Sequence, residues 1–169
     1  CCALQDVMDG ELSLDQPLAI APGDFCSDTE VFEPGYRQDG ASLWEMLYWM
    51  IVSSDNTATN TVISLLGYDH VNQYCRAIGL TQTSLQRKML DFQAIAEGRN
   101  NYTSPADLYR VFSRLYHGEI LNKPLREVAF DFLSRCRSTD ALQRYIPDAV
   151  TVLHKPGGLD HLNHDAGIF

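Results

Sequence analysis

The chain has 169 residues, 45% of them hydrophobic, and a formal net charge of −9. That length and apolar fraction suit an ordinary globular core. An acidic balance without a lysine- or arginine-rich run excludes a nucleic-acid-binding surface, which needs clustered cations against phosphate, and no apolar stretch reaches membrane-spanning length.

Residues 1–10 place Ala3, Leu4 and Val7 at one-face helical spacing, with Gly10 as the stop. Residues 18–39 are cut into turns and short strands by Pro22, Gly23, Pro34 and Gly35. Ser42 and Glu45 have capping-box spacing ahead of residues 43–52, a run apolar nearly all round that predicts a buried central helix. That helix delivers Ser53 and Ser54 toward an interior cleft. Asp55 is placed to cap the next helix, whose Val62, Ile63, Leu65 and Leu66 face the core and whose Gly67 supplies a left-handed stop.

Further helices are predicted from near Asp69 to Gly79, from the cap and first-turn pair Ser104 and Pro105 through Leu115, and from Pro124 through Cys136. Strand signals come last. Val150, Val152 and His154 alternate with Thr151, Leu153 and Lys155, and Gly157 and Gly158 open a turn before residues 162–169. Thr151, Leu153 and Lys155 share one face, which turns Lys155 toward the helices. The expected fold class is α/β (α+β), with a mostly helical part over residues 1–149 packed on a sheet of which the hairpin at 150–169 is one piece.

Cys1, Cys2, Cys26, Cys75 and Cys136 are odd in number and lack metal-ligand spacing. Cys75 and Cys136 read as small buried hydrophobes, and Cys26 sits in a Gly-, Asp- and Ser-rich loop where a disulfide or an exposed thiol is the lesser alternative. His154, His161 and His164 cluster near Lys155, but no fourth ligand has suitable spacing, so no metal is assigned to them. His154 is read as structural. The sequon at Asn101 is treated as chance.

Two clusters carry chemistry: Ser54, Asp55, Asn56, Thr57, Ala58, Thr59 and Asn60, and, about a hundred residues later, His154, Lys155, Pro156 and Gly157. A serine hydroxyl beside a lysine can pass a proton to a departing nitrogen, while the ammonium anchors a carboxylate and favours developing negative charge. Taken singly, Ser54 is a helix-boundary residue and Lys155 a solvated strand lysine. Together and in this order, they resemble the second and third motifs of class A β-lactamases and penicillin-binding proteins.

The resemblance covers most of the chain and implies a β-lactamase/DD-peptidase-like fold. It implies catalytic roles for Ser54 and Lys155 and substrate contacts for Asn56, Gly157 and His164, the last near where the family often carries a carboxylate-binding arginine. Asp55 is expected to hold its loop through backbone hydrogen bonds. No cofactor and no metal are implied. The expected partner is a small molecule (a β-lactam, peptide or ester), and the expected enzyme is a monomer, extracytoplasmic or secreted, from a bacterium.

Three departures qualify that resemblance. No Ser-x-x-Lys pair, the family's nucleophile motif, occurs in the chain. The chain is therefore expected to be truncated at both ends, with the nucleophile upstream of Cys1. Residues 87–103 fall where the family has its Ω-shaped loop, yet Met89 stands two residues after Arg87, where a glutamate activates the deacylating water; Asp91 replaces it only if the loop is rearranged. Pro156 replaces a threonine or serine and removes a hydroxyl and a backbone donor. The expected activity is a serine hydrolase that forms an acyl-enzyme and deacylates poorly. The alternatives are a D-Ala-D-Ala peptidase and a non-catalytic ligand-binding or sensor domain.

Overall fold

Helix α2 (Leu43–Val52) is the element the others surround in the computed structural model, which describes residues 1–27, 29–137, 141–159 and 161–169. Its start is set by Ser42, whose hydroxyl accepts from the Glu45 amide at 3.2 Å. The reciprocal half of the expected capping box is absent. Glu45 pairs with Arg37 at 2.8 Å and accepts from Trp49 Nε1 at 3.4 Å, because a guanidinium is a stronger partner for a carboxylate than a neutral amide.

Leu43, Met46, Leu47 and Val52 are buried, but Trp44 is 39% exposed, so α2 has an open flank rather than all-round burial. Aromatic packing lines that flank. Trp44 stacks on Tyr48 with centroids 5.2 Å apart, and both meet Phe132 of α7 (Lys123–Ser134) edge-on. Helix α1 (Cys2–Met8) adds Ala3 and Leu4 to the same core, which also takes in Phe32, Ala58, Val62 and Leu133.

Helix α3 (Asn56–Leu66) begins at Asp55, whose Oδ1 accepts from the Ala58 amide at 2.8 Å. It ends at Gly67, with φ 75° and ψ 152°. That is not the αL stop expected from sequence but an extended positive-φ conformation that only glycine adopts without strain. Helices α4 (Tyr68–Ala77), α5 (Phe92–Ala96) and α6 (Pro105–His117) follow before α7. The Ser104 hydroxyl caps α6 by accepting from the Asp107 amide at 3.2 Å.

Two antiparallel pairs complete the fold: β1 (Pro17–Leu18) with β2 (Ala41–Ser42), and β3 (Leu153–Leu159) with β4 (Leu162–Ile168). Strand β3 packs on α7 and β4 on α6, so a helical layer lies against the hairpin. Gly157 and Gly158 do not form the expected turn; they continue the ladder opposite His164 and Asn163. A ladder needs only backbone groups, and the reversal is taken up beyond Leu159, where His161 adopts φ 64°.

Gly167 is required by contact rather than by a turn. It pairs with His154, and a Cβ there would lie 2.4 Å from the Leu153 carbonyl oxygen and 2.7 Å from His154 Cβ. Gly167→Ala must push the strands apart, and a thermal melt is expected to show a loss of about 1–3 kcal/mol.

Candidate active site

The end of α2 and the start of α3 fix Ser54. The chain turns there with Ser54 at φ 58°, a left-handed conformation uncommon for a residue with a Cβ. Asp55 holds the turn. Besides capping α3, its buried carboxylate accepts through Oδ2 from the amides of Glu30, Val31 and Phe32 at 3.2, 2.9 and 3.3 Å and from the Thr29 hydroxyl. One carboxylate thus serves two loops, accepting from four backbone amides and one hydroxyl. Ser54 beside it is exposed.

Strand β3 brings Lys155 to the same place. Its Nζ donates to Ser54 Oγ across 101 residues of sequence and to the Pro156 carbonyl oxygen at 2.6 Å. Lys155, Gly157 and His164 line one cavity of about 480 Å³ with Cys1, Thr103 and Ser104, and its floor is apolar side chains of α2, α6 and α7. Gly157 and His164 face each other across the hairpin, and both are exposed. Asn56 is half-buried in the first turn of α3, one residue beyond Asp55. Lys155, Gly157 and His164 therefore share one cavity wall, and Ser54 is tied to it through its hydrogen bond with Lys155.

Burial lowers the Lys155 pKa below the 10.5 of a free lysine, while the Cys136 thiol and Asp165 oppose that shift. The ammonium is thus a partly desolvated cation whose protein partners are neutral oxygens. The sign follows: the charge is lost as pH rises through a value lower than that of a free lysine. The alkaline limb of kcat/KM is expected below pH 10.5, and Lys155→Arg should abolish that limb.

Behind Lys155 lies a pair that the sequence does not announce. His154 Nδ1 sits 3.0 and 3.1 Å from the two carboxylate oxygens of Asp165, both side chains almost wholly buried, and Asp165 also accepts from the Leu142 amide at 3.0 Å. The adjacency of β3 and β4 makes this contact, and His154 is thereby fixed as a brace of the strand that carries Lys155.

The loop holding Met89 is anchored from α3. Asn60 Oδ1 accepts from the Met89 amide at 2.7 Å, and its Nδ2 donates to the carbonyls of Met89 and Asp24 at 3.4 and 3.3 Å. Lys88 pairs with the buried Asp24, which also accepts from the Ser64 hydroxyl at 2.8 Å. At the loop's neck, Asn101 accepts from the amides of Gln86 and Arg87 and donates to the Arg87 carbonyl. Asp91 caps α5 by accepting from the Ala94 amide at 2.9 Å, so it is engaged in a helix start. Cys26 is neither an exposed thiol nor in a disulfide; it is buried and accepts from Asn60 Nδ2 at 3.1 Å. Asn60 is the residue whose role sequence spacing left unassigned, although it stands one turn beyond Asn56 on the same helix.

A family model described as the beta-lactamase enzyme family matches residues 1–169. A β-lactamase of Streptomyces cellulosae is 34% identical over 110 residues, covering 63% of this chain and 35% of that protein. One of Streptomyces lavendulae is 30% identical over 122 residues, covering 70% and 40%. Among solved structures, PBP-A has a TM-score of 0.88 at 28% identity, covering 98% of this chain and 61% of that one, and a variant of PBP-A has been seen as an acyl-enzyme with penicillin G. A β-lactamase from Sphaerobacter thermophilus has a TM-score of 0.84 at 25% identity, covering 98% and 63%. The chain spans 35–40% of the length of these curated relatives.

Proposed function

Because the chain belongs to the beta-lactamase enzyme family, we propose that it forms the proton-relay and carboxylate-binding parts of a serine hydrolase that works through an acyl-enzyme. The observation that carries this proposal is that Lys155, which lines the cavity, donates from its ammonium to Ser54 Oγ. A strand lysine meeting only solvent would not reach a helix-boundary serine. The attacked carbonyl belongs to a β-lactam, peptide or ester whose carboxylate is held by Lys155, with His164 and Gly157 beside it and Asn56 bonding its amide.

The nucleophile is placed on a segment preceding Cys1, a residue that lines the same cavity as Lys155. Its hydroxyl attacks the carbonyl carbon and the carbon–nitrogen or carbon–oxygen bond breaks. Ser54 passes a proton to the departing atom, assisted by the positive potential of Lys155. Hydrolysis of the acyl-enzyme then needs a base beside the ester. Met89 has no proton-accepting group, and Asp91 is committed to its cap. Acylation is therefore fast relative to deacylation.

Met89 also favours a second reading, a D-Ala-D-Ala peptidase that penicillins trap rather than feed. We further propose an extracytoplasmic monomer, as the family resemblance implies. Among the described residues no helix is long and apolar enough to cross a membrane. The test is to incubate the full-length protein with a fluorescent penicillin and map the labelled peptide. A label on a serine preceding Cys1 supports the proposal. Absence of label with a range of β-lactams and peptide esters would leave the domain a binding module and refute it.

A further inference from the structure

A second cluster lies on the α1–α4 interface, away from Ser54. Cys2 and Asp6 stand one turn apart on the same face of α1, and His70 of α4 closes over them with Nε2 2.9 Å from both Asp6 carboxylate oxygens. The Cys2 sulfur, an Asp6 oxygen and His70 Nε2 all lie within 4.8 Å of one another. Among the described residues, this is the one such convergence of three His, Cys, Asp or Glu side chains; the histidines beside Lys155 do not converge.

A plain histidine–carboxylate contact between helices accounts for only part of this arrangement. It does not account for a buried thiol brought against the pair, Cys2 and Asp6 both being 8% exposed. Nor does it account for the buried Tyr74 hydroxyl, which lies within electrostatic reach of Cys2 and Asp6 and has no hydrogen-bond partner. Thiolate, carboxylate and imidazole are together a donor set for zinc-like divalent ions, whereas magnesium and calcium take oxygen alone.

We propose that Cys2, Asp6 and His70 form a zinc site with a fourth position open to water. Tetrahedral bonds of about 2.0–2.3 Å separate neighbouring ligand atoms by roughly 3.3–3.6 Å. The His70–Asp6 contact must therefore open by a few tenths of an ångström, and the sulfur must close in. The half-exposed His70 ring has room for the first movement. On binding, the thiol proton leaves to solvent and the sulfur takes its place on the metal. The ion then ties α1 to α4. Because Leu4 of α1 lines the active-site cavity, it also stiffens one wall of that cavity.

The experiment uses the full-length protein, stripped with a chelator and titrated with zinc by calorimetry and with cobalt(II) by absorption. One equivalent should bind, the cobalt form should show a near-ultraviolet thiolate-to-metal band, and zinc should raise the thermal midpoint. Cys2→Ser should remove the band, and His70→Ala should weaken zinc at least about tenfold. Failure to bind zinc would overturn the proposal. So would a band and affinity unchanged in both variants, with thermal melts of the metal-free proteins confirming that each variant is folded.

Discussion

Replacing Lys155 with alanine in the full-length protein is expected to slow acylation by a fluorescent penicillin about 10²–10³-fold, the cost of removing one preorganised electrostatic donor from a transition state. The reason lies in how few partners the ammonium has. Nζ meets Ser54 Oγ and the Pro156 carbonyl, both neutral oxygens, and burial already disfavours its charge. A carboxylate at the mouth is therefore met by a cation whose own hydrogen-bond partners carry no charge, with Asp165 acting on it only from a distance. Lys155→Arg keeps the charge, but a planar fork does not reproduce a single Nζ serving two oxygens, so its rescue should be partial. Stopped-flow labelling measures both. A rate unchanged in Lys155→Ala would remove this residue from the chemistry.

The second large effect has the opposite sign. Met89→Glu is expected to shorten the lifetime of the penicillin adduct about 10²–10⁴-fold, the contribution of a positioned general base. Asn60 grips residue 89 by its backbone amide and carbonyl, so the side chain can be exchanged without releasing the loop. The neighbouring Lys88 is held by its side chain, whose ammonium pairs with Asp24. Intact-mass spectrometry of the adduct over time, for both proteins, reads the result. Equal lifetimes with equal thermal midpoints would show that position 89 does not face the ester.

What the sequence made legible was local. Helical spacing and caps located α2, α3, α6 and α7, because Ser42, Asp55 and Ser104 each satisfy their own helix within a few residues. Alternation from Val150 to Lys155 pointed to β3, although the strand begins only at Leu153. The errors arose where the deciding partner is distant in sequence or is a backbone state. Glu45 was drawn to Arg37, Gly157 and Gly158 stayed in the ladder, and the reversal fell to His161. Cys26 lies in a polar stretch yet is buried, because Thr57 and Asn60 of α3 and Met89 close around it.

The site divides the same way. Ser54 and Lys155 were singled out by the company they keep in sequence, and the contact of one with the other needed the packing of β3 on α7. The His154–Asp165 brace and the grip of Asn60 on Met89 rest on tertiary contacts between residues of ordinary type. No spacing rule announces them. The convergence of Cys2, Asp6 and His70 is likewise invisible in a sequence that separates His70 from Asp6 by 64 positions.

The central claim is that Ser54 and Lys155 act as one unit in acylation, and a double-mutant cycle tests it most directly. Acylation rates would be measured for the full-length wild type, Ser54→Ala, Lys155→Ala and the double variant. If the two share one proton path, the double variant should be scarcely slower than the worse single variant. Losses that multiply would mean that the residues act independently and that the Ser54–Lys155 contact is not part of the mechanism.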